Sequence, residues 1–288
     1  MGEGGLPKVV MRSADGAHAQ VHLHGAHAIS WRPAPGVDER LFLSARAEFA
    51  DGASIRGGIP IIFPQFATEG PLPRHGFART MRWALGDVVT ESDGDVVVSF
   101  LLSDSPETRA IWPVSFLATL TVRVGGARLG VTLSVDNTGV DSLSFTAALH
   151  TYLRVTDVSS ARIVGLHGCR FRENGRTATL QFDESETLRI VDAIDRVYFG
   201  APRHLVVREP TRQLAIDTVA FPEVVVWNPG ADAAERTFGL AAGEHRQMLC
   251  VEAAVIETPI TLGPGRRWSG SQTLVAQPRE QADAPRDA

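Results

Sequence analysis

Residues 115–135 read SFLATLTVRVGGARLGVTLSV. Two short runs rich in Val, Thr, Leu and Phe flank GGAR at 125–128, the signature of two antiparallel strands joined by a hairpin turn. The same kind of run recurs in both directions along the chain. Towards the N-terminus it appears at 95–103 and 21–31, and towards the C-terminus at 143–155, 204–209, 213–219, 223–227, 248–255 and 268–275. Gly, Pro, Asn and Asp bound these runs. Helical periodicity is confined to 104–110 and 231–237, each opening near an Asp that could cap a short turn. Many short strands without interleaved helices predict an all-β sandwich or barrel rather than a parallel α/β sheet.

With 288 residues, such a fold can use the whole chain as one unit. Residues 1–276 are expected to form a single domain. The polar, Pro/Ala-rich stretch 277–288 (QPREQADAPRDA) is expected to be a disordered tail. A net charge of −5 gives no sign of a nucleic-acid partner, which needs a basic face. No segment approaches the length of a membrane span, and the N-terminus lacks a signal-peptide pattern. Cys169 and Cys250 form neither a disulfide framework nor a zinc motif and are expected as buried free thiols. A reducing cytoplasm is the expected location, and a monomer the expected state.

Two segments do not read as strands. Residues 56–82 (RGGIPIIFPQFATEGPLPRHGFARTMR) form a long irregular loop, and long ordered loops are disproportionately functional. Residues 227–230 (WNPG) follow a strand and must turn sharply.

His150 in ALHTYL and Glu252 in MLCVEAAVI stand in otherwise apolar strands. Such a group either faces solvent, finds a partner or has a shifted pKa. Together they make the minimal pair for general acid and base work. In the long loop, Arg56 precedes Gly57-Gly58 and Arg79 follows His75-Gly76-Phe77. Gly-rich backbone lets a ligand approach, and a guanidinium matches phosphate oxygens. Arg74 and Arg82 read as solvated loop residues. His18, His22, His24 and His27 cluster, but alternation divides the last three between two faces, so no metal site is expected there.

At these residues the chain resembles the aldose 1-epimerase (galactose mutarotase-like) superfamily, and within it the hexose-6-phosphate mutarotase branch. The matching stretches are IRGGIPIIFPQF (55–66), LPRHGFAR (72–79), WPVSF (112–116), ALHTYLRV (148–155), IDRVYF (194–199), VVVWNP (224–229), MLCVEAA (248–254) and LGPGRRWSGSQTL (262–274). The resemblance implies a large antiparallel β-sandwich with a cleft on one sheet. It implies that Glu252 takes the proton of the anomeric hydroxyl while His150 gives one to the ring oxygen, with neither cofactor nor metal. It further implies that His75 and Asp195 bind the sugar, that Arg56 and Arg79 hold a 6-phosphate, and that Gln65, Phe66, Trp227 and Asn228 shape the pocket. Asp195 and Asn228 can also be read as a turn residue and an Asx-type cap, with the sugar-binding reading preferred.

Gly230 departs from the second Trp usual in such relatives, and no Lys follows it in 231–236. A third phosphate contact is therefore left unassigned. The function implied is interconversion of the α and β anomers of a hexose 6-phosphate, glucose 6-phosphate first. Two alternatives are a mutarotase of unphosphorylated aldoses and a non-catalytic sugar-binding protein on the same fold.

Overall fold

The computed structural model describes residues 2–174 and 179–278. Among these residues the strands form antiparallel sheets of three, eight and nine strands. The quoted stretch becomes the strands Phe116–Gly125 and Arg128–Asn137, joined by the two-residue turn Gly126-Ala127. Gly126 has φ 56°, the positive angle that a two-residue hairpin turn needs at its first position.

The two large sheets pack face to face. Phe145, Leu149, Val251 and Ala253 of one meet Phe116, Leu120, Leu133 and Leu274 of the other in one buried cluster. The Gln272 amide donates to Val251 O at 3.0 Å and ties the sheets across that core. Period-two alternation sends the neighbours of these residues to the opposite face of the eight-stranded sheet. That face is also buried. Ile62, Phe66, Ala148, Val197, Val225 and Ala254 form a second apolar cluster, and Phe42, Tyr152, Trp227, Met248 and Cys250 a third.

The long loop covers the second cluster through Ile62, Phe66 and Ala67. It is irregular except for Ile61–Ile62, which pairs with Leu149 and Ala148 as a sheet-edge strand, and a 3-10 turn at Ala78–Thr80. Gly57, Gly58 and Gly76 lie close against the protein's own backbone. A Cβ on Gly58 would stand 2.2 Å from Ala28 O, and one on Gly76 would stand 2.1 Å from Phe63 O.

Several expectations need correction. The run 21–31 is a hairpin, His18–His22 and His27–Arg32, turning through Gly25 and Ala26 at positive φ. The run 143–155 breaks after Leu149 and resumes at Tyr152. Helix Pro106–Ile111 is capped by Ser105, while Asp104 accepts from Phe116 N–H instead. Gln277 and Pro278, assigned to the tail, belong to the strand Arg267–Pro278, paired with Gln213 and Arg212. Residues 279–288, the rest of that tail, lie outside the described residues. Cys169 is only half-buried; Cys250 is fully buried. No described helix is long and apolar enough to cross a membrane.

Candidate active site

The long strand Met248–Leu262 lies between Glu223–Asn228 and Leu143–Leu149. Leu149 pairs with Ala253, and Tyr152 with Cys250. That register sets His150 directly opposite Glu252. The break at 150–151 lets the loop strap this point: His150 N–H donates to Pro60 O at 3.0 Å and Tyr152 N–H to Gly58 O at 2.9 Å. His150 Nδ1 then lies 3.2 Å from Glu252 Oε1. Solvent exposure of Glu252 is ruled out, since only 2% of it is accessible. His150 Nδ1 and Glu252 Oε2 have no aligned hydrogen-bond partner, which is unusual for buried polar atoms.

Burial separates the pair electrically. It pushes the Glu252 carboxyl well up, and the nearby Asp195 charge pushes the same way. It pushes His150 well down, helped by His75, Arg56 and Arg79. The carboxyl is thereby made a better proton acceptor, and the imidazole, once protonated, a better proton donor.

Both groups open onto a cleft of about 330 Å³. Phe66, His75, Asp195 and Trp227 line it, as expected, and so do Arg56 and Arg79. His75 sits at φ 67°, a region where His is among the few enriched side chains. Its Nδ1 accepts from Ala67 N–H at 3.2 Å, which leaves Nε2–H as the ring's donor. Its ring contacts Phe66 and His150 at centroid distances of 5.6 and 6.0 Å. Burial also raises Asp195 to about 6, against a hydrogen bond from the Asn174 side chain. Arg56 Nη1 donates to the Tyr152 hydroxyl at 3.0 Å. Burial depresses Arg79, and the Arg56 and Arg74 charges depress it further. Guanidinium groups gathered this way favour an anion between them.

Two expected residues stand outside the cleft. Gln65 exchanges hydrogen bonds with the Leu72 backbone at 2.8 and 2.9 Å and folds the loop on itself. Asn228 accepts from Gly230 N–H at 2.9 Å and donates to His245 O and Met248 O at 2.8 Å, so the Asx-cap reading holds. Gly230, at φ 67°, opens the helix Gly230–Phe238 where the second Trp was missing. Conversely, Ser54, Arg74 and Asn174 line the cleft. Arg74 had read as a solvated loop residue. Its place beside His75 was the available clue, whereas nothing local marked Ser54 or Asn174.

The β-sandwich thus carries, on one sheet face, a buried carboxylate beside an imidazole at the floor of a cleft. The chain belongs to the aldose 1-epimerase family, an enzyme family whose model matches residues 7–274. It is 35% identical over 283 residues to a protein of Cenchrus ciliaris, covering 95% of this chain and 86% of that one. It is 34% identical over 240 residues to a protein of Escherichia coli K12, covering 82% and 79%. Both bear the name "Putative glucose-6-phosphate 1-epimerase". The crystal structure of a "putative mutarotase" from Salmonella typhimurium superposes with a TM-score of 0.87 at 28% identity, covering 95% of this chain and 91% of that one.

Proposed function

We propose that this enzyme interconverts the α and β anomers of a hexose 6-phosphate, with glucose 6-phosphate as the first substrate to test. The observation that carries the reading is that one cleft holds both an acid–base pair and a group of arginines. Glu252 and His150 stand 3.2 Å apart at its floor, and Arg56, Arg74 and Arg79 line the same walls. The names of the two relatives point to the same substrate.

Ionised Glu252 removes the proton of the anomeric hydroxyl. The electron pair of O1 forms the C1 carbonyl as the C1–O5 bond breaks, and O5 takes its new proton from His150. Rotation of the free aldehyde about C1–C2, followed by the reverse transfers, closes the other anomer. Each positioned group is worth about 10²–10⁴-fold. His75 Nε2–H and Asp195 orient ring hydroxyls, while Phe66 and Trp227 shape the walls. Phosphate binding at Arg56 and Arg79, remote from C1, contributes orientation and selectivity. A monomer in the cytoplasm is proposed with this activity.

The test is anomer exchange by NMR on glucose 6-phosphate and on glucose. Each charge-assisted contact to phosphate is worth about 1.5–3 kcal/mol. Arg56→Ala and Arg79→Ala should each lower kcat/KM for the phosphorylated sugar by about 10- to 100-fold and leave that for glucose within about threefold. Equal turnover of the two sugars, unchanged by either substitution, would instead favour a mutarotase of unphosphorylated aldoses.

A further inference from the structure

We propose that the floor of the cleft is also an inhibitory site for a soft divalent cation of the zinc or cadmium class, held by His150, Cys250 and Glu252. The ligand atoms of these three side chains lie within 4.8 Å of one another. The arrangement follows from strand geometry. Cys250 and Glu252 are two residues apart on one strand and project to the same face, and the register places His150 across from Glu252.

Zinc holds imidazole, carboxylate and thiolate donors at about 2.0–2.3 Å in a tetrahedron, so neighbouring donors stand about 3.3–3.7 Å apart. The 3.2 Å between His150 Nδ1 and Glu252 Oε1 is already close to that spacing. The sulfur has on the order of 1 Å to close, a shift available to side-chain rotation.

A second observation points to a ligand at this spot. His150 Nδ1 and Glu252 Oε2 are buried without hydrogen-bond partners, and Glu252 is only 2% exposed. Such atoms are ordinarily satisfied. A cation would engage both. The donor set selects for softness, because Mg²⁺ and Ca²⁺ prefer all-oxygen cages whereas thiolate with imidazole suits zinc-like ions.

Cys250 has no part in the proton transfers proposed above. It lies beneath the cleft among Phe42, Tyr152, Trp227 and Met248. An ion entering past His150 and Glu252 meets it as the third donor. Binding displaces the thiol proton to solvent, with no change of oxidation state. Once coordinated, Glu252 has its charge neutralised by the cation and no longer draws the anomeric proton, and the imidazole is held away from the ring oxygen, so exchange stops.

The inhibitory effect rests on the acid–base reading of His150 and Glu252, but the binding does not. The full chain, stripped of metal, is titrated with cadmium chloride in thiol-free buffer. The cadmium–thiolate ultraviolet absorption and the anomer exchange are followed together. The expected result is one cadmium per chain, a thiolate band, and exchange falling to the uncatalysed rate. Cys250→Ala should abolish the band and raise the half-inhibiting cadmium concentration at least tenfold, while Cys169→Ala changes neither. Cys250→Ser, closer in size, gives the same comparison should the Ala variant lose its cooperative unfolding transition. A wild type without the band, a band that survives in Cys250→Ala, or one lost in Cys169→Ala overturns the site. A band without inhibition leaves the site standing and overturns the catalytic reading of His150 and Glu252.

Discussion

The phenol ring of Tyr152 lies flat against the imidazole of His150, their centroids 4.7 Å apart and their planes 8° from parallel. Its hydroxyl accepts from Arg56, and the edge of Trp227 packs against both rings at 6.0 Å. One buried side chain thus joins the arginine wall of the cleft to the proposed acid.

Tyr152→Phe keeps the stack and removes the oxygen that anchors Arg56. Losing one hydrogen bond of about 0.5–1.5 kcal/mol should raise KM for glucose 6-phosphate roughly threefold to tenfold. With the imidazole still held, kcat should stay within about twofold. Tyr152→Leu removes the flat support as well, so kcat should fall too. Steady-state anomer exchange separates the two parameters.

The acid limb of the pH–rate profile should lie above the ordinary carboxylate range, because burial raises Glu252 and the enzyme needs it ionised. Asp195→Asn removes the neighbouring negative charge that adds to the shift, so it should move that limb to lower pH whatever it does to the rate. The substrate's own phosphate titrates identically in both profiles, and the difference between them isolates Glu252. An unmoved limb would contradict the coupling.

Acid should destabilise the fold through His27. It is fully buried, its Nε2 is bound to Gly57 O at 2.7 Å, and burial first, then the nearby His22 and His24, depresses it to about 3. An unfolded histidine takes its proton near pH 6.5, so the unfolded state binds more protons at every pH between that value and about 3. Stability is therefore lost as pH falls through this window, by about 1.4 kcal/mol per unit for such a group. Urea unfolding at pH 7, 6 and 5 should show a steeper loss for wild type than for His27→Gln.

Arg74 is exposed at the cleft rim, so its contribution should be smaller and more sensitive to salt than that of Arg79. Arg74→Ala should raise KM for glucose 6-phosphate by about threefold at low ionic strength and leave it nearly unchanged at high salt. An equal effect at both would argue against a rim role.

The sandwich was legible because many of its strands carry uninterrupted β-type runs, 96–103, 116–124 and 129–135 among them. Short strands such as Arg170–Glu173 were not, since they are held by pairing rather than by pattern. His150, Glu252, Arg56 and Arg79 stood out as polar groups in apolar strands or in a Gly-rich loop, and motif resemblance added His75 and Asp195, yet it could not separate cleft residues from those that build the cleft. Gln65 and Asn228 sit among the same motifs, but their amides satisfy backbone groups of the turns that bring the others into place. Arg74 and Asn174 reach the cleft through folding of a loop and a hairpin end, which no local period records. The close backbone packing of Gly57, Gly58 and Gly76 was likewise not legible in the sequence, because the segments they meet are distant along the chain.

The central claim is that Glu252 and His150 act together on one sugar ring. Two-dimensional NMR exchange between the anomers of glucose 6-phosphate, corrected for spontaneous mutarotation, measures it for wild type, Glu252→Gln, His150→Ala and the double variant. Each single change should cut the catalysed rate by about 10²–10⁴-fold, and the double variant should be scarcely worse than either, because both groups serve one step. A single variant that exchanges the anomers at close to the wild-type rate would contradict the account.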